Sequence, residues 1–441
     1  MIPRTSLDVW AKKKIGAGTA SLTRELISSY QLHKLQEIVR WAYYHSSFYR
    51  RLLAGFVETE MVCLDDLCRL PFTTDDDIKQ YGLQFLCVSQ SDISRVVTLE
   101  SSGTTGPAKR LYFTPADQEL TVEFFQYGMA TFTAVGDKVL ILLPGERPGG
   151  VGALLATAVS RLNAQPIHYG LVHSIPETLA RIECEKIDCL VGIPVQVLAL
   201  ARYTGADALP SFRPKNVLLS TDYVSKPIVA ELRNSWGCEV FEHYGMTEMG
   251  LGGGTGCAAH AGYHLHEADF YFEIIDPLTG QVVSDGQEGE VVITTLTRQG
   301  MPLIRYRTGD ISRLLLEPCS CGSVLRRLAP ITRRKEGSIS LGIYGQFTMA
   351  DLDENLFAVA EVVNFTAAVD CAHNATSLKI AALTTGQPGT SVVEKIHRAL
   401  AAVPAIFLAR QNGNLTVNVK AECCGDLLTP SAAKRAITEW K

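Results

Sequence analysis

A chain of 441 residues is long enough for two or three domains with large cores, and 46% hydrophobic with 20% charged residues is ordinary for a globular enzyme. The formal charge of −5 argues against nucleic acid as the main partner, because that role calls for a basic face. No apolar run reaches the length of a membrane span, and the N-terminal stretch lacks the apolar core of a signal peptide. A cytoplasmic protein with neither nucleic acid nor membrane as partner is therefore expected.

In chain order, residues 22–53 have helical periodicity and end in an aromatic cluster of Trp41, Tyr43, Tyr44, Phe48 and Tyr49, which reads as a packing stripe. Residues 93–99 form an apolar, β-branched stretch and residues 111–113 another. The run between them, Ser101-Ser102-Gly103-Thr104-Thr105-Gly106-Pro107-Ala108-Lys109, reads as a tight turn linking two strands. Residues 139–144 signal a buried strand, followed by a glycine-rich turn and a helix-like run. Residues 189–194 and 216–220 repeat that pattern, which argues for parallel βαβ units with ligands at the carboxyl ends of the strands. The strand ending at Tyr244 falls at the same edge. From residue 270 to 295 the texture changes to alternating strands, a smaller antiparallel subdomain. After about Arg334 comes a compact α+β tail of about a hundred residues, a candidate lid domain.

The run 101–109 has the chemistry to hold an anion. Glycine permits close backbone approach, hydroxyls and N–H groups can surround phosphate, and a lysine closes the run. Its spacing is neither that of a Walker loop nor that of a dinucleotide fingerprint. Alone, such a run is more often a plain surface loop. Downstream stand Glu242-His243-Tyr244-Gly245-Met246-Thr247-Glu248 and Arg305-Tyr306-Arg307-Thr308-Gly309-Asp310. By itself the first of these is a turn in which Thr247 could be a helix cap, and Thr-Gly-Asp is a common turn.

Twelve cysteines in a chain of this kind are expected to be reduced. Cys63, Cys68, Cys87, Cys184, Cys189 and Cys238 sit singly among apolar neighbours and read as small buried hydrophobes. Cys319-Ser320-Cys321 and Cys423-Cys424 differ. Cys257 and His264 lie before the alternating strands of residues 270–295, and Cys319 and Cys321 after them. One imidazole and three thiolates would make a closed tetrahedral zinc set, with His260 and His266 as rival ligands.

With the three polar motifs in this order, the chain resembles the adenylate-forming superfamily of acyl-CoA synthetases and adenylation domains, and within it the phenylacetate–CoA ligase branch. The resemblance implies an α/β fold. A large N-terminal domain (1–334) carries parallel βαβ sheets, a helical N-terminal region (1–90) and a small antiparallel β subdomain (256–330) with the zinc set. A small α+β lid domain (335–441) follows. It implies that Ser101, Ser102, Gly103, Thr104, Thr105 and Gly106 bind the phosphates of ATP and that Lys109 supplies a point charge. Tyr244 and Gly245 would face adenine, Thr247 phosphate, and Glu248 Mg²⁺. Asp310 would accept the ribose hydroxyls and Arg334 would stand at the hinge. Several members of this branch carry a comparable Cys, His and Cys-x-Cys arrangement that binds zinc.

Three departures stand against the pattern. Pro107 and Ala108 are in swapped order, and Glu336 and Gly337 replace paired aspartates at the hinge. Aligned through Lys434-Arg435, the catalytic lysine position holds Ala432. Removing a preorganised cation at a developing anion costs about 10²–10³ in rate. Either Lys434 substitutes through a register shift, or adenylation is slow, or the chain does something else.

The expected activity is an ATP-dependent ligation of a carboxylic acid, aryl or arylalkyl, to coenzyme A through an acyl-AMP. The acid pocket is expected near residues 144–152, 192–194 and 220–222. Partners are then the acid, ATP and CoA, with Mg²⁺ and structural Zn²⁺ as cofactors and a homodimer as candidate assembly. Two alternatives stand beside this: a carrier-protein or amine acceptor, and an ATP-binding homologue impaired in catalysis.

Overall fold

A computed structural model describes residues 2–56, 61–99, 108–145, 147–205, 211–370, 376–429 and 431–439. The chain forms two compact units. The first comprises Met1–Ala134, Arg147–Leu162 and His243–Ile331, and the second Val135–Glu146, Asn163–Glu242 and Thr332–Lys441. Among the described residues no helix is long and apolar enough to cross a membrane.

The first unit begins with helices. In the helix Arg24–His45, the Thr23 side chain caps the Leu26 N–H, and Ile27, Gln31, Leu35, Ile38, Val39 and Ala42 fall on one buried face, the spacing expected of a single core-facing stripe. The aromatic cluster divides. Phe48 stacks on Phe85 with centroids 4.0 Å apart and Tyr49 is fully buried, whereas Tyr44 is exposed. The strands Arg95–Leu99 and Lys109–Phe113 pair antiparallel with Leu99 opposite Lys109, the two strands expected from sequence. The phosphate-binding run expected at residues 101–106 lies outside the described residues.

Two further sheets complete this unit. The strands Phe270–Ile275, Gly289–Thr295 and Tyr306–Ser312 form an antiparallel sheet with a register shift between Glu290 and Val292. A narrow ladder runs from His243 and Tyr244 through Gly254–Thr255 and Tyr263–Leu265 to Arg327–Leu328 and Leu314–Leu315.

The second unit has a parallel sheet in which Gln165–His168, Lys138–Leu142, Cys189–Gly192, Asn216–Leu219 and the start of Glu239–Tyr244 are neighbours in that order. Its central strands are continuous apolar runs, because both faces are buried. The C-terminal sheet pairs Val362–Asp370 antiparallel with Thr376–Thr384, which runs parallel to Leu415–Cys423. Ile437–Glu439 adds a parallel edge beside Val362–Asp370. The α/β class and the mixture of parallel and antiparallel sheets agree with the sequence reading. Three of the single cysteines do not: Cys63, Cys68 and Cys184 are exposed, while Cys87, Cys189 and Cys238 are buried. Cys63 caps a short 3₁₀ turn and Cys184 lies in the last turn of the helix Ile175–Glu185, so an apolar neighbourhood in sequence did not mean an inward side chain.

The buried ion pair of Arg305 and Glu273 ties the first unit's antiparallel sheet to the segment before residue 73. Arg305 donates through Nη2 and Nε to Glu273 at 2.9 and 3.1 Å and through Nη1 to the carbonyls of Cys68 and Leu70 at 2.8 and 2.7 Å. It also lies over the Phe72 ring at 4.1 Å. Burial pushes the Glu273 carboxyl up despite this partner, so the charge is tolerable only while the arginine is present. Arg305→Met should cost about 3–5 kcal/mol in urea unfolding. Adding Glu273→Leu should recover part of that loss; no recovery would mean that the stranded charge is not the cause.

Candidate adenylation site

At the first residue of the strand Lys109–Phe113, the Lys109 ammonium is held between two carboxylates, Asp75 and Glu248. Burial alone would lower the Lys109 pKa, but Glu248 and Asp75 outweigh it and raise it. Asp75 opens the helix Asp75–Tyr81, whose Thr74 cap and Asp77 form a reciprocal capping box. Thr73, just before, is stitched to the strand Tyr306–Ser312: its N–H donates to the Arg305 carbonyl at 3.1 Å, and its own carbonyl accepts from the Arg307 N–H at 3.0 Å. This brings the Tyr306 hydroxyl to 3.3 Å from Asp75 and 3.4 Å from Glu248.

Glu248 sits in a single 3₁₀ turn, Thr247–Met249, and is 2% exposed. The cap position of this turn is Met246, so Thr247 is not its cap. The chain can make the turn only with glycine at 245, where a Cβ would stand 2.2 Å from the Leu251 carbonyl oxygen. Arg298, buried over the Phe113 ring at 4.4 Å, donates to the Glu248 carbonyl at 2.9 Å and the Tyr112 carbonyl at 3.2 Å. It thereby joins the turn carrying Glu248 to the strand carrying Lys109. Nearby, the Tyr244 hydroxyl donates to Asp310 at 3.0 Å.

Sequence reasoning thus found Lys109 and Glu248, which meet, and Tyr244 and Asp310, which meet. It missed Asp75, Tyr306 and Arg298. Tyr306 lies inside the segment from Arg305 to Asp310, and Asp75 is one of three consecutive aspartates with nothing to single it out. Arg334 and Lys434 lie in the second unit, and both are exposed. The neighbour of Lys434 is fixed: Arg435 donates to Asp353 at 2.6 Å, to the Phe365 carbonyl at 3.1 Å, and lies over the Phe365 ring at 4.3 Å. Two carboxyls share it, since its N–H donates to Asp222 at 3.3 Å. Burial drives the Asp353 carboxyl up to about 7, partly offset by Arg435.

Cys257, His264, Cys319 and Cys321 converge in the first unit, all buried, with their donor atoms within 4.8 Å of one another. The narrow ladder explains this. Cys257 follows the strand Gly254–Thr255, His264 is central in Tyr263–Leu265, and both remaining cysteines lie in the connection between Leu314–Leu315 and Arg327–Leu328. The Sγ atoms of Cys257 and Cys319 are 3.7 Å apart, and Cys321 Sγ is 3.4 Å from His264 Nε2. Tetrahedral bonds of about 2.3 Å to sulfur and 2.0–2.1 Å to nitrogen give edges of about 3.8 and 3.6 Å, so the donor set fits zinc. Burial pushes the Cys257 thiol to about 12 and the His264 imidazole to about 4, and a bound cation would reverse the first of these. The rival His266 is engaged elsewhere, at 3.0 Å from both the Gly252 carbonyl and Asp269. His260 is exposed.

Behind the turn of Glu248 lies a small cavity of about 20 Å³ lined by Met249, Gly250, His266, Asp269 and Arg298, among others. Burial would raise the Asp269 carboxyl, but the hydrogen bond and charge of His266, with Lys14 and Thr297, hold it at about 2. A depressed carboxyl contributes stability above its unfolded pKa near 3.8 and loses it as pH falls through the folded value. Asp269→Asn should therefore cost about 2 kcal/mol at pH 7. The gap to the parent should close between pH 4 and 2 in denaturant titrations; a gap that is constant with pH would exclude this linkage.

Residues 95–297 match the family model described as AMP-binding enzyme. The phenylacetate–coenzyme A ligase of Pseudomonas putida is 30% identical over 330 residues, 72% of each chain. That of Thermus thermophilus is 28% identical over 353 residues, 78% of each. Among solved structures, 2-hydroxyisobutyryl-CoA ligase in complex with an acyl-AMP superposes with a TM-score of 0.79 at 18% identity, covering 95% of this chain and 91% of that one. The anthranilate CoA ligase AuaEII in complex with anthranoyl-AMP gives 0.55 at 13% identity, covering 77% and 64%. The chain belongs to the phenylacetate–CoA ligase family of adenylate-forming enzymes.

Proposed function

We propose that this protein is an ATP-dependent carboxylic acid–CoA ligase acting through an acyl-AMP on an aryl or arylalkyl acid. The observation that carries the reading is the buried ammonium of Lys109 meeting the Glu248 carboxylate, in a chain of this family. In the first half-reaction a carboxylate oxygen of the acid bonds to the α-phosphorus of ATP and the bond to pyrophosphate breaks. In the second, the sulfur of CoA bonds to the acyl carbon and AMP leaves. Two anions must meet in the first step, so the protein's task is positive charge and orientation.

Lys109 and Thr247 would bind phosphate, together with Ser101, Ser102, Gly103, Thr104, Thr105 and Gly106. Tyr244 and Gly245 would border adenine, while Asp310 would hold the ribose and Arg334 contact the nucleotide at the hinge. Glu248 offers oxygen donors suited to Mg²⁺, which supplies charge neutralisation at the phosphates. Cys257, His264, Cys319 and Cys321 would hold a zinc ion with no open position, a structural role. Residues 335–441 would act as the lid, turning near Arg334 and Glu336 between the half-reactions. Lys434 would bring the C-terminal cation: Arg435 is fixed by Asp353 and Asp222, while the Lys434 side chain beside it is exposed.

Pyrophosphate release should appear with members of an aromatic acid panel and require ATP; no release with any acid, aromatic or aliphatic, would refute catalysis by this chain. Lys434→Ala should lower acyl-AMP formation about 10²–10³-fold. The second reading, a nucleotide-binding homologue impaired in catalysis, is favoured by Ala432. It would be supported if ATP bound calorimetrically without turnover and Ala432→Lys restored it. For the metal, elemental analysis of purified protein should find about one zinc per chain, and Cys319→Ser with Cys321→Ser should lose it and lower the melting temperature. Protein free of zinc and unaffected by those changes would end the zinc assignment.

A further inference from the structure

Among the described residues Lys109 has two anionic partners, and only one of them, Glu248, has a part in the proposed adenylation chemistry. The other, Asp75, differs from it in two ways and shares a third contact with it. Its side chain is 42% exposed, against 3% for Glu248, so it can return to water cheaply where Glu248 cannot. It also has a second cation: Lys79, one helical turn on, lies 2.8 Å from its other oxygen. Finally, the oxygen that meets Lys109 is also within 3.3 Å of the Tyr306 hydroxyl, which itself reaches Glu248. If Asp75 let go of Lys109 it would keep Lys79, and Tyr306 would keep Glu248.

From this geometry we infer that Asp75 is a resident counter-anion of Lys109, occupying the ammonium until the polyphosphate of ATP displaces it, and so setting the affinity for ATP. This rests on the reading of Lys109 as a phosphate-binding cation. In the nucleotide-free protein the exposed carboxylate satisfies a buried charge that would otherwise be stranded. When a triphosphate arrives, Lys109 exchanges a carboxylate for phosphate oxygens, and Asp75 stays with Lys79 and solvent. The exchange makes binding weaker than an unoccupied ammonium would allow. No bond is made or broken, and the charges on Asp75, Lys79 and Lys109 are the same before and after.

The test is calorimetric titration of ATP with magnesium, without acid or CoA, into the full-length protein and its Asp75→Asn, Lys109→Ala and doubly substituted variants, with melting curves to confirm folding. The asparagine keeps the size and a hydrogen-bonding oxygen but loses the charge. Asp75→Asn should lower the ATP dissociation constant roughly two- to fivefold, the scale of a partly exposed ion pair. In the Lys109→Ala background the same change should gain less than twofold. An unchanged or raised dissociation constant in Asp75→Asn overturns the inference, and so does an equal gain without Lys109, which would mean direct repulsion. A Lys109→Ala protein binding ATP as tightly as the parent would instead overturn the assignment of Lys109 on which the inference stands.

Discussion

A lysine ammonium that is largely withdrawn from water must have anions beside it, and the site around Lys109 is organised by that requirement. The charge is placed by a strand register, Leu99 opposite Lys109, and neutralised by Glu248 from a one-turn 3₁₀ segment and Asp75 from a capped helix. Each supporting element is itself held against the others. Thr73 bonds to the backbone on both sides of Tyr306, and Arg298 bridges the backbone of Glu248 to that of Tyr112. Withdrawing the cation would leave Glu248 buried without its main partner, which is why the cluster behaves as a unit.

Buried arginines recur as ties for irregular backbone. Arg305 satisfies the carbonyls of Cys68 and Leu70, Arg298 those of Glu248 and Tyr112, and in the second unit Arg202 those of Phe357, Val359 and Val362. A guanidinium offers five donors in a rigid fork, so one side chain can serve two or three carbonyls that no strand or helix would pair. The unpaired alternative costs about 1–3 kcal/mol for each buried carbonyl. Turns that carry chemistry can then depart from regular structure and still be held rigidly.

Much of this was legible in the sequence, and the rest was hidden for physical reasons. The parallel strands around Leu140, Leu190 and Val217 declared themselves as apolar runs because both faces are buried. Glu248, Tyr244 and Asp310 were found through short motifs and their order along the chain, and the four candidate metal donors through a Cys, His and Cys-x-Cys arrangement resembling that of the family. Asp75 meets Lys109 across 34 residues and Tyr306 across 231, and Arg298 meets Glu248 across 50 and Tyr112 across 186, separations that no local pattern records. Cys63 and Cys184 were misjudged because apolar neighbours do not fix the direction of one side chain at a cap or a helix end. The Ala432 departure was visible at once, but the anchoring of Arg435 by Asp353 and Asp222 is a tertiary fact.

The most direct measurement of the central claim, that Lys109 and Glu248 together run acyl adenylation, is acid-dependent exchange of labelled pyrophosphate into ATP in the absence of CoA. Exchange should require a carboxylic acid and fall about a hundredfold or more in both Lys109→Ala and Glu248→Gln. Exchange that proceeds undiminished in either variant, or that never appears with any acid, would contradict it.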